Sequence, residues 1–292
     1  MPATSPAADR APTDRCPGVL RLAEAADGYL ARVRLPGGLI GAGQLRVLAR
    51  LAAELGDGRA ELTSRGNVQL RGLAADAAEP LTDQLATAGL FPSPEHDRVR
   101  NVLASPLAGL DGGPDLTAIV RALDAALCAR SWLAELPGRF LFAVDDGRGD
   151  MAGLGADVLA ELRADGIVVN GLAVRGAGRD EPGAVQVAAA DVVAVMLACA
   201  EAFLDLQAAE GGTAWRISDL TDGAGRVRAA VAAGLGLAAA PQPPAVSPVP
   251  AGSGGPAPAG GTGSPTATAA RPVGVVGTAA VLLAPLGRLT AA

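Results

Sequence analysis

The densest group of residues able to do chemistry is Thr63-Ser64-Arg65-Gly66-Asn67-Val68-Gln69-Leu70-Arg71-Gly72. If residues 68–73 form a strand, Gln69 and Arg71 share one face, Val68 and Leu70 share the other, and Arg65 sits in the preceding turn. Arg65, Gln69 and Arg71 could then line one polar surface; the plainer alternative is a solvated edge strand whose arginines meet water. A second group is Arg98-Val99-Arg100-Asn101-Val102, followed by Ser105-Pro106, which again alternates arginine with valine. A third is Leu136-Pro137-Gly138-Arg139-Phe140-Leu141-Phe142, ending at Asp145-Asp146-Gly147. Phe140 and Phe142 point the same way and read as core. Guanidiniums converging from three such segments would make a cavity for a ligand with several carboxylates, because the planar fork of arginine binds a carboxylate through two parallel hydrogen bonds. A tetrapyrrole with acetate and propionate arms is one such ligand.

The whole chain qualifies that picture. All 24 basic residues are arginine, which high genomic GC content explains as well as any local need does. The net charge of −6 argues against a general nucleic-acid binder. Half the residues are hydrophobic but only 2% are aromatic, so the core must be built from Ala, Val and Leu. Cys16, Cys128 and Cys199 are odd in number and far apart, which suggests neither a disulfide framework nor a metal knuckle. The single histidine, His96, is assigned no role. Residues 1–15 lack an apolar signal core, and the longest apolar run, Val185 to Phe203, is broken by Asp191 and Glu201. The expectation is a buried helix rather than a membrane span, and a cytoplasmic protein without nucleic-acid or membrane partners.

These residues need elements to hold them. Tyr29 to Leu35 alternates like a strand and ends at a Pro-Gly-Gly turn; Gln44 to Leu55 has helical spacing. Strands over 59–63 and 68–73 and a helix over 79–88 complete a strand-helix-strand-strand-helix order. That order fits a small α+β sandwich with helices on one face of an antiparallel sheet. A second α+β unit follows. It has strands over 98–104, 139–144, within 158–174 and over 214–218, and helices over 115–134, 188–206 and 223–233, with Asp115 as N-cap. The expected organisation is a disordered tail over 1–15, units over 16–93 and 94–237, and a Pro/Gly-rich linker over 238–272. Residues 273–292 then read either as the start of a second, truncated copy of the first unit or as a frayed C-terminal tail. Val281 to Ala292 (VLLAPLGRLTAA) loosely repeats Val33 to Gly43 (VRLPGGLIGAG), apolar strand then Pro-x-Gly turn.

The stretches Cys16-Pro17-Gly18, Gly28 to Gly38 and Thr63 to Gly72 resemble the ferredoxin-like half-domain of the sulfite/nitrite reductase haemoprotein family. Arg100-Asn101-Val102 with Ser105-Pro106, and Leu136-Pro137-x-Arg139-Phe140, resemble its adjoining haemoprotein-type domain. The resemblance covers residues 16–236 and implies the amino-terminal half of an enzyme built from two such pairs around a sirohaem and a four-iron, four-sulfur cluster. It implies that Arg65, Arg100 and Arg139 are catalytic and that Arg65, Gln69, Arg71 and Asn101 bind cofactor. Arg139 and Leu141 fall where the reductases carry two lysines, and Arg71 where sulfite reductases tend to have histidine. Those departures, Cys16-Pro17-Gly18 and the phrase Arg-Asn-Val-x-x-Ser-Pro-x-x-Gly instead resemble the precorrin-3B synthase branch, which oxygenates a tetrapyrrole in cobalamin biosynthesis. A sirohaem-dependent sulfite or nitrite reductase and a non-catalytic tetrapyrrole-binding module are the alternatives. The implied partners are a tetrapyrrole substrate, an electron donor and a carboxy-terminal half. The family's Cys-x5-Cys and Cys-x3-Cys cluster ligands have no counterpart among the three cysteines, so no metal ligand is assigned.

Overall fold

The computed structural model describes residues 14, 16–110, 112–163, 166–170 and 185–235, together with three short strands at 274–276, 279–281 and 288–290. Nearly all of the expected 1–15 tail and the whole 238–272 linker lie outside the described residues.

In the first unit, β1 (Ala23–Ala25), β2 (Gly28–Val33), β4 (Val68–Leu73) and β3 (Arg59–Leu62) form an antiparallel sheet in the order β1-β2-β4-β3. Helices α1 (Ala42–Leu55) and α2 (Ala78–Thr87) cover one face. Strand alternation decides which: Ala31, Val33, Val68 and Leu70 face Leu48, Leu51, Leu81 and Leu85, all buried. Truncating one of those leucines to alanine costs about 2–5 kcal/mol. The same alternation turns Arg32, Gln69 and Arg71 to the opposite, helix-free face. The α+β half-domain expected from the sequence is present, with β1 as an added strand.

The second unit is a mixed sheet in the order β5 (Val102–Ala104), β6 (Phe142–Asp145), β7 (Val158–Arg163), β8 (Gly166–Asn170), β9 (Val185–Val187). The first three strands run parallel and the last two pair antiparallel. Helices α3 (Thr117–Cys128), α4 (Val192–Ala209) and α5 (Gly223–Gly234) build its core with Phe140 and Phe142. The two rings meet edge-on at 5.2 Å, and Phe203 of α4 lies 5.0 Å from Phe140. Both phenylalanines are thus core, as expected. Helix α4 is long and apolar enough to cross a membrane, but its Val195, Met196, Ala200 and Phe203 are buried in this core, the pattern of a central helix.

Three expectations need correction. Residues 98–101 are not strand: Val99 N–H bonds His96 O and Asn101 N–H bonds Val99 O, so the chain turns until Val102. The expected helix over 115–134 ends at Cys128 and passes into a 3-10 turn at Ser131–Glu135. Residues 214–218 form no strand; Asp219 accepts the Trp215 N–H and a 3-10 turn spans Ile217–Asp219.

The units are joined by polar clamps. Asn67 accepts the Leu35 N–H and donates to Asn101 Oδ1, while Asn101 donates to Arg98 O and Gly138 O. The Pro-Gly-Gly turn packs on α3, where a Cβ on Gly37 (φ +68°) would stand 2.9 Å from a Val120 methyl. Buried His96 bonds Ser93 Oγ and Arg130 O, a structural role. Strands β10 (Gly274–Val276) and β11 (Ala279–Val281) form a hairpin, and β12 (Arg288–Thr290) pairs antiparallel with the free edge of β3.

Candidate functional site

The seam between the units is where guanidiniums gather. Arg32 and Arg34 project from β2 and its extension, Arg65 from the β3–β4 turn, Arg139 from the turn before β6, and Arg216 from the segment before α5. Arg65 donates to Gly138 O at 3.4 Å, beside Arg139. Arg139 is exposed and lies 5.7 Å over the Trp215 ring, a cation–π geometry. Arg216 adjoins that ring in sequence and pairs with buried Asp157 at 2.9 Å. Asp157 also accepts the Leu141 and Ile217 N–H groups, so it anchors this wall.

The electrostatics record the crowding. Burial, then the Arg32 charge, lowers the Arg34 pKa to about 10. Burial and then Arg216 lower that of Arg65, and burial lowers that of Arg32. Desolvation disfavours a charge, and like charges nearby disfavour it further. Burial likewise pushes the Asp157 carboxyl up, against the opposing pull of Arg216.

The residues singled out in sequence divide. Arg65 and Arg139 reach the seam. Gln69 lies on the helix-free sheet face, accepting from Arg32 and donating to Glu61. Arg71, at the far end of that face, forms a two-pronged pair with Asp27 at 2.9 and 2.7 Å. Arg100 does not project with Arg98. It is buried against α3 in a two-pronged pair with Asp124 at 2.7 and 2.8 Å, while Arg98 pairs with Asp14 at 2.8 Å. The turn at 98–101 sends the two side chains to different carboxylates, which strand alternation did not anticipate. Asn101 is buried in the clamp between units. Sequence reasoning missed Arg32, Arg34 and Arg216. The Arg32-Val33-Arg34 alternation on a predicted strand could have revealed the first two; nothing local marks Arg216.

Two other features contrast with the seam. A cavity of about 600 Å³ beside the Pro-Gly-Gly turn is lined by Leu103, Leu110, Met151 and Leu154 with Asp115 and Asp150. Its charged groups are acidic, so it does not suit a polycarboxylate. Asp145, Asp146 and Asp150 place ligand atoms within 4.8 Å of one another. Asp145 accepts the Gly147, Gly149 and Met151 N–H groups, Arg148 pairs with Asp146, and Ser105 donates to Asp150. These bonds fasten the loop after β6.

Residues 22–88 match the family model described as the nitrite/sulfite reductase ferredoxin-like half domain. The chain is 34% identical over 128 residues to a ferredoxin–nitrite reductase of Synechococcus elongatus, covering 41% of this chain and 25% of that protein. It is 32% identical over 159 residues to a precorrin-3B synthase of Sinorhizobium sp, covering 52% of this chain and 32% of that protein. The chain therefore matches between a quarter and a third of the length of these relatives. The Mycobacterium tuberculosis NirA structure superposes with a TM-score of 0.57 at 23% identity, over 76% of this chain and 43% of that one, a likeness of fold. The first unit thus matches the nitrite/sulfite reductase ferredoxin-like half domain, in a chain whose α+β fold is like that of NirA over 76% of its length.

Proposed function

We propose that this chain forms one wall of the tetrapyrrole site in a precorrin-3B synthase-type oxidoreductase of cobalamin biosynthesis, which adds a hydroxyl to precorrin-3A and closes a lactone. The observation that carries this reading is the meeting of Arg32, Arg34, Arg65 and Arg139 at one seam, where none of the four has a carboxylate partner among the ion pairs of the described residues. A macrocycle with acetate and propionate arms offers several carboxylates at once. Each charge-assisted hydrogen bond to a guanidinium contributes about 1.5–3 kcal/mol. The residues of this chain would bind and orient the ring through its rim, with Asp157 holding Arg216 and the Asn67–Asn101 clamp fixing the two walls.

Leu141 supports the synthase over a sulfite or nitrite reductase. Where the reductases carry a lysine, Leu141 is buried in an apolar cluster with Leu103, Ala143, Met151 and Leu159, and supplies neither a proton nor a charge for a small oxyanion. If sirohaem is the macrocycle bound, the same guanidiniums would hold its carboxylates, and its iron would supply redox chemistry.

A four-iron cluster does not fit the described cysteines. Cys199 is buried on α4, where burial pushes its thiol up to about 12. Cys128 lies on α3 with its thiol pushed up to about 11 by burial and Asp124, and Cys16 lies at the seam. Cluster ligands are grouped thiolates, whereas these three cysteines lie on separate segments. Such a cluster would need ligands other than the described cysteines.

The test is an absorbance titration with uroporphyrin, an octacarboxylic porphyrin. Wild type is expected to shift the porphyrin band saturably, and Arg65→Ala to weaken binding about tenfold or more. Absence of binding by wild type would contradict the reading.

A further inference from the structure

Arg34 is only 2% exposed, yet among the described residues its Nε and Nη1 have no hydrogen-bond acceptor, and the buried Nε of Arg32 has none either. Arg34 Nη2 donates to Pro17 O and Arg98 O, both neutral carbonyls, at 3.2 Å. Buried donors without acceptors are costly and rare in folded proteins. Two adjacent guanidiniums left in this state are an unmet demand for an anionic acceptor at the seam.

Asp14 and residues 16–20 run along that place as a strap. Asp97 accepts the Val19 and Leu20 N–H groups, and Gly18 O accepts from Arg32 N. Asp14 accepts from Cys16 N and Gly138 N and pairs with Arg98. Cys16 is thereby pressed on Gly138, where a Cβ would stand 2.8 Å from Cys16 Cβ and 3.2 Å from its Sγ. Any larger residue at 138 would displace the strap. Gly138 O is in turn the acceptor for Arg65. The half-buried Cys16 thiol is pushed up by burial and by its hydrogen bond to Asp14, and it lies within electrostatic reach of Arg32, Arg34 and Arg65.

We infer that Cys16 belongs to the ligand-binding surface, lying under the carboxylate that Arg34, Arg32 and Arg65 take up, so that a bound polycarboxylate macrocycle covers its thiol. This deepens the tetrapyrrole reading and rests on it. It also gives Asp14 a positioning role, because Asp14 fixes both Cys16 and the Gly138 peptide that Arg65 holds.

The experiment is timed alkylation of the full chain by iodoacetamide, read by peptide mass spectrometry, with and without uroporphyrin at ten times its Kd. Labelling of Cys16 is expected to slow about tenfold, in proportion to the unliganded fraction, with labelling of Cys128 unchanged. In Arg34→Gln the same porphyrin concentration should protect less. A second variant, Cys16→Asp, sets a carboxylate among the guanidiniums and should weaken porphyrin binding about tenfold or more. Porphyrin binding that leaves both the Cys16 labelling rate and the affinity of Cys16→Asp at wild-type values would overturn the role of Cys16 and leave the tetrapyrrole site standing. Failure of wild type to bind porphyrin at all would overturn both.

Discussion

The helix-free face of the first sheet has two ends, and arginines fare differently at each. At the β1–β2 turn, Arg71 meets Asp27 in a two-pronged pair with Glu61 at 3.9 Å. At the seam, the hydrogen bonds of Arg34 and Arg65 among the described residues go to backbone carbonyls, while Asp97 and Asp157 act on them only through space. A guanidinium held by a carboxylate is neutralised and serves the fold. One held by carbonyl oxygens keeps its charge and remains available to an incoming anion. Arg100 belongs with the first kind although its motif suggested the second, because Asp124 on α3 takes both prongs. Arginine content therefore says little about a site until each carboxylate has been assigned.

That contrast can be broken in four ways. The largest effect is expected from Asp124→Ala, which leaves Arg100 buried without its partner and should cost about 3–5 kcal/mol in urea unfolding. An unchanged urea midpoint would remove Arg100 from the fold-bearing group. Next is Arg34→Gln. Loss of a buried charge that no carboxylate hydrogen-bonds should weaken uroporphyrin binding by about 1.5–3 kcal/mol while the urea midpoint holds or rises. A large fall in stability with unaltered affinity would make Arg34 structural.

The third prediction concerns acid. Burial raises the Asp14 carboxyl, but the N–H groups of Cys16 and Gly138 with the Arg98 charge outweigh it and hold the group below its ordinary range. A carboxylate depressed on folding contributes stability above its unfolded pKa and loses it as pH falls through the folded value. The stability gap between wild type and Asp14→Asn should thus be full at neutral pH and shrink below about pH 4. Asp97 and Asp157, which burial raises, act in the opposite sense and are common to both proteins. A gap independent of pH would separate Asp14 from the strap. The smallest effect is expected from Arg71→Ala. Its pair with Asp27 is 27% and 43% exposed, so unfolding should change by less than about 1 kcal/mol and porphyrin affinity not at all.

Much of the first unit was readable because its strands alternate cleanly; 68–73 coincides with β4, and the apolar face of each strand is the one the helices cover. The buried strand β6 and helix α4 were readable from apolar runs. The 94–101 segment was not, because turns that place His96 and Val99 inward also produce an Arg-Val-Arg alternation. The site was half readable. Arg65 lies in a dense motif, whereas Arg216 arrives from 151 residues later, carried by an Asp157 contact that no local spacing encodes. Arg34 was overlooked because an arginine on a strand reads as solvated, and its burial depends on the strap and on Arg98 O.

The most direct measurement is calorimetric titration of uroporphyrin into wild type, the seam variant Arg34→Gln/Arg65→Gln and the far-end variant Arg71→Gln. The seam variant is predicted to lose at least about a hundredfold in affinity, two charge-assisted contacts at once, and the far-end variant to match wild type. Equal losses in both variants, or none in the seam variant, would contradict a carboxylate site at the junction of the two units.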